Sequence, residues 1–118
     1  MTYEFYNVAH VIGVIFLFSS LGALAATAGS PSAPLRKLAS IAHGVALALI
    51  FIAGFGLLAR LGHFGAIPAW AYLKMAVWAV LALAVLPLKR KPEWAPALWL
   101  LMPVIGGFAV WLAVTQPF

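Results

Sequence analysis

The chemistry available inside the apolar stretches of this chain is carried by histidine and lysine. His10 lies in YNVAHVIGV, His43 in LASIAHGVALAL and Lys74 in AWAYLKMAVW. A neutral imidazole can ligate a haem iron or hydrogen-bond a quinone, and a buried ammonium can balance an anionic ligand or a cofactor propionate. His10, Lys74 and His43 are therefore the candidate cofactor-binding residues, with haem b or a quinone as the cofactors they would suit. No catalytic residue stands out. The sequence has no three-histidine metal array, phosphate-cradling glycine loop, serine elbow or paired acids, so hydrolase and kinase chemistry drop out. It has no cysteine, which removes disulfides, thiolate metal sites and cysteine nucleophiles.

Trp70, Lys74 and Trp78 recur at four-residue spacing and so share one helical face, where the rings can shield the lysine stem or meet its ammonium. A charge at mid-membrane costs about 2.5 to 3.5 kcal/mol on insertion scales. Lys74 must therefore snorkel to water or find a partner. The two acids, Glu4 and Glu93, lie outside every apolar core, so an anionic ligand would supply the missing charge. His10 and Lys74 both sit roughly 7 to 8 Å inside their helices by helix rise, which predicts one shared polar site. His43 falls beyond the bilayer midpoint, about 15 to 20 Å from His10 in depth. The two histidines therefore do not make a bis-axial haem pair, and His43 is expected to donate across a helix seam or to serve a haem or quinone singly. Tyr3 and Tyr6 read as interfacial belt residues, Tyr72 points away from Lys74, and His63 lies in the neighbouring loop.

These groups are positioned by membrane helices. The 118 residues are 66% hydrophobic and 8% charged, with a mean hydropathy of +1.11, too apolar to cover a water-soluble surface. Four segments are long enough to cross roughly 30 Å of hydrocarbon: Phe5 to Thr27, Lys37 to Ala59, Ala69 to Leu86 and Ala95 to Thr115. The loops GSPSAPLRK, RLGHFGAIP and PLKRKPEW are short, forcing neighbouring spans antiparallel. The expected fold class is all-α, a polytopic membrane protein folded as a single antiparallel four-helix transmembrane bundle over residues 1–118. The small residues ATA at Ala26 to Ala28 resemble a signal-peptide cleavage site, but the N-terminal MTYE lacks a basic residue, so the first span is expected to be retained.

Arg36, Lys37, Lys89, Arg90 and Lys91 flank the first and third loops, against Arg60 at the second. The positive-inside rule then predicts an integral protein of the bacterial inner membrane with both termini outside. The net charge of +5 is explained by these anchors and membrane lipid, not by a nucleic-acid partner. Small residues mark expected packing seams at Ala9 and Gly13, Ser19 and Ala23, Gly22 and Ala26, and in a Ser40, Gly44, Ala48 ladder. Pro103 followed by Gly106 and Gly107 predicts a kink in the last span, or a broken-helix site if that backbone faces a cavity.

YNVAHVIGVIFLFSS, LRKLASIAHGVALAL and WAYLKMAVWAVLALAV together resemble the small integral membrane proteins of the SirB type, and more distantly the CopD-like and HemJ-like membrane families. The HemJ-like resemblance implies His10 and Lys74 as functional positions of a haem-associated membrane protein. The leading functional expectation is a noncatalytic accessory or interaction subunit, working with a membrane-protein partner or as a homo-oligomer. A haem- or quinone-associated redox protein and a small-molecule transporter are the alternatives.

Overall fold

The computed structural model describes residues 2–30 and 32–117; Pro31 of the first loop lies outside them. Helix α1 spans Tyr3–Ala26 and starts at Thr2, whose hydroxyl accepts from the Phe5 amide at 3.1 Å. Helix α2, Pro34–Arg60, opens on a proline that has no amide to leave unpaired. It ends at Leu61 and a left-handed Gly62 (φ 78°), whose amide returns to the Ala59 carbonyl. A single 3-10 turn, His63–Gly65, leads to α3, Ala69–Leu83.

The third pass does not stop at Leu86, as its sequence predicts, but continues as α4, Val85–Arg90. The two helices meet at Ala84, whose amide still bonds the Val80 carbonyl and whose carbonyl accepts from Leu88, so the bond missing from the ladder is the one to Leu83. Pro87 explains the missing bond: it has no amide for the Leu83 carbonyl, and its ring crowds that same group. The last helix, α5, spans Ala95–Thr115 and runs unbroken past Pro103, so no broken-helix site forms there. Among the described residues four helical passes are long and apolar enough to cross a membrane, giving an all-α antiparallel bundle.

The passes pair as α1 with α2 and α3 with α5, while α1 meets α5 and α2 meets α3 more sparsely. Between its buried end residues Arg36 and Leu58, α2 buries Ala39, His43, Ala46, Ile50 and Ala53, a three-four alternation that repeats alanine every seventh position. Small side chains there let α1 approach closely. A Cβ on Gly13 would lie 2.8 Å from Ile50 Cγ1 and 3.5 Å from the Ala46 carbonyl, so this glycine is required by the approach.

The seam thus differs from part of the predicted one. Gly13 belongs to it, but Gly44 and Ala48 are exposed and neither Gly22 nor Gly44 has a neighbour within 4 Å of an added Cβ. Small residues occur on both faces of these helices, and lipid rewards neither face for polarity.

Buried side chains form two clusters. The larger includes Leu17, Leu21, Leu24, Ile50, Leu81 and Leu88; the smaller, near the Tyr3 end, comprises Leu58, Trp70, Ala71 and Leu112. Members of both clusters line the same cavity.

Candidate functional site in the bundle

Loose contact between the two helix pairs leaves a cavity of about 470 Å³ in the half of the bundle nearest Tyr3. It is lined mainly by apolar side chains, with Asn7, His10, Lys74 and Gln116 among the few polar ones. That volume and that mixture are those of a small-molecule site.

His10 and Lys74 are brought together as walls of this one cavity, and Trp70 and Trp78 line it with them. His10 is held by α2: Nδ1 lies 3.2 Å from the Ile50 carbonyl oxygen. Because a carbonyl only accepts, Nδ1 carries the proton, and the neutral ring keeps Nε2 as an acceptor. Gly54 of α2 faces the ring, and a Cβ there would meet the His10 Cε1 at 3.6 Å, an ordinary van der Waals contact.

Lys74 is half-buried one turn beyond Trp70 and one turn before Trp78. Both rings are fixed. Trp70 is buried with its ring edge-on to His63 at 5.9 Å, and the Trp78 indole donates to the Leu47 carbonyl at 3.1 Å while packing on Phe51. The two acids Glu4 and Glu93 are exposed at opposite ends of the bundle. Among the described residues no carboxylate lines the cavity beside Lys74.

His43 is placed elsewhere. It is 4% exposed, donates from Nε2 to the Leu81 carbonyl at 3.2 Å, and does not line the cavity. Ile50, which holds His10, is seven residues further along α2, roughly 10 Å of helix rise away. The histidines therefore occupy separate layers, and among the described residues no group of three or more His, Cys, Asp or Glu could hold a metal ion. Tyr72 is exposed and outside the cavity, and Tyr3 lines its mouth. Of Pro103 and Gly106, only Gly106 reaches the cavity, where the Phe18 ring covers it.

Two placements are not evident from charge and hydropathy. Asn7 lines the cavity three residues before His10, and that spacing on one helix was its available signal. Arg36, expected as a loop cation near headgroups, is 8% exposed and hydrogen-bonded inside the opposite end of the bundle.

No protein-family model, curated protein or solved structure matches the chain. The site's own geometry therefore carries the functional argument.

Proposed function

We propose that this small integral membrane protein binds a lipid-soluble small molecule inside its bundle, with Lys74 and His10 receiving the polar end of the ligand. One observation carries the reading: a predominantly apolar cavity has an ammonium-bearing side chain and an imidazole on its wall, with no lining carboxylate among the described residues. An ammonium drawn into such surroundings is stabilised by an acceptor or anion brought by the ligand.

The protein should be purified in mild detergent from its native membrane and its retained small molecules identified by mass spectrometry. Lys74→Ala should lose the retained molecule at least tenfold, while Lys74→Arg, which keeps the charge, should lose less. Equal retention by wild type and both variants would reject Lys74 as a ligand contact.

The second reading is a haem- or quinone-associated redox protein acting as a subunit of a larger membrane assembly. His10 favours it, because Nδ1–H is occupied by Ile50 and Nε2 remains free to meet an iron or a quinol hydroxyl. Native and dithionite-reduced absorption spectra test the haem form, and a featureless Soret region after haem-replete expression would reject it. Kinship with the SirB type remains part of this proposal, supported by the three sequence stretches around His10, His43 and Lys74.

Both termini are proposed to face outside. Lys37, Lys89, Arg90 and Lys91 are exposed at one end of the bundle, against Arg60 at the other. A bacterial inner membrane is the setting in which this orientation follows most directly.

A further inference from the structure

The seam between α1 and α5 is closed at one level and open at another. Phe18 fills the space above Gly106, where a Cβ would lie 2.5 Å from the Phe18 Cζ, and this contact seals the bundle near its middle. From there towards the Tyr3 end, Ile15 and Val11 on α1 and Val110 and Val114 on α5 line the cavity while remaining exposed on the outside of the bundle. Ile15 is 62% exposed, Val110 61% and Val114 78%. A side chain that both lines a cavity and is largely exposed marks the rim of an opening.

The rim lies within the apolar spans. Ile15 follows Tyr3 by twelve residues, which places it roughly 18 Å along the helix. At this depth the rim side chains are aliphatic; Asn7 and Gln116, which also line the cavity and are exposed, lie nearer the Tyr3 end. Lys74, on α3, lies inside the cavity reached through this gap.

We infer that the α1–α5 gap is a lateral portal from the membrane, and that the ligand is a singly anionic amphiphile whose acid group meets Lys74 while its hydrocarbon chain passes between Ile15 and Val110. This rests on the proposed binding function and specifies the ligand class and its route. One ammonium balances one negative charge, and the apolar walls and rim select a hydrocarbon body. The Asn7 amide supplies a further donor for the ionised acid, while His10 Nε2, an acceptor, meets the acid group only in its protonated form.

The test uses the full chain in nanodiscs with radiolabelled oleate, with empty nanodiscs as background. Methyl oleate provides the uncharged counterpart and butyrate the water-soluble acid. Oleate should bind saturably, methyl oleate and butyrate at least tenfold more weakly, and Lys74→Gln should weaken oleate binding about tenfold. Ile15→Trp and Val110→Trp should slow oleate association several-fold. Val104→Trp, an exposed site on the same helix that does not line the cavity, should leave the rate unchanged.

Equal binding of methyl oleate would overturn recognition of the acid. An unchanged association rate in both rim variants, with folding verified by retention of the Lys74-dependent site, would overturn the portal. Absence of saturable oleate binding, together with Lys74-dependent retention of a different native molecule, would overturn the ligand class and leave the cavity reading standing. Failure of both measurements would reject that reading as well.

Discussion

Arg36 Nη1 donates to the Leu24 carbonyl at 2.9 Å, joining the start of α2 to the last turn of α1. The same nitrogen lies 3.0 Å from the Thr27 hydroxyl, and Nη2 reaches the Leu88 carbonyl in α4 at 3.2 Å. The C-terminal turns of two helices thus place their carbonyls on one guanidinium. Those carbonyls are the negative ends of helix dipoles, so the charge and the donors act in the same direction.

Arg36→Ala should therefore destabilise the bundle by roughly 2 to 4 kcal/mol, through lost charge-assisted hydrogen bonds and carbonyls left unsatisfied. Arg36→Lys keeps the charge but cannot reach two helices with one planar fork, and should recover less than half of the loss. Reversible unfolding in mixed micelles measures both. Wild-type stability in Arg36→Ala would show that the contacts contribute nothing net.

The helix seam gives a prediction with internal controls. Gly13→Ala must push Ile50 or part the α1–α2 pair and should cost about 1 to 3 kcal/mol. Gly22→Ala and Gly44→Ala meet nothing within 4 Å and should be neutral, or stabilising by up to about 1 kcal/mol through helix propensity. The same unfolding assay ranks them. A cost at Gly44 equal to that at Gly13 would restore the Ser40, Gly44, Ala48 seam and contradict the packing described.

The contrast between those glycines shows what was legible in the sequence. Hydropathy and loop length reveal the four passes and their antiparallel order, because water and hydrocarbon differ sharply along each helix. They do not reveal which face is buried, because a membrane bundle is apolar both inside and out. The shared wall of His10 and Lys74 followed from depth, and the Trp70, Lys74, Trp78 face from spacing. Arg36 was read only as a loop charge because the positive-inside rule counts cations without locating the carbonyls they can reach. Pro103 read as a kink, or as a break if its backbone faced a cavity; it leaves α5 continuous and lies on an exposed face.

The proposed orientation is open to a direct test because the chain contains no cysteine. Ser32 and Ala66 are exposed in loops at opposite ends of the bundle. Ser32→Cys should be protected from a membrane-impermeant thiol reagent in intact cells, and Ala66→Cys should react. The reverse labelling pattern would invert the topology without altering the bundle.

The two intramembrane histidines separate by which ring nitrogen each uses. His10 donates from Nδ1 to Ile50, whereas His43 donates from Nε2 to Leu81. An asparagine amide sits near the Nδ1 position and a glutamine amide near Nε2, so the two replacements are not equivalent. His10→Asn should hold the Ile50 contact and keep stability within about 1 kcal/mol of wild type, a bound set by the usual worth of an interhelical hydrogen bond in membranes. It removes the nitrogen left for the ligand, so ligand retention should fall several-fold. His43→Gln should preserve both stability and retention, whereas His43→Asn, too short to reach Leu81, should lose about 1 to 2 kcal/mol and still retain the ligand. Micelle unfolding and mass-spectrometric ligand retention on the four proteins separate the roles. Ligand loss in a stably folded His43→Gln with none in His10→Asn would move the site out of the cavity and into the buried α2–α3 contact.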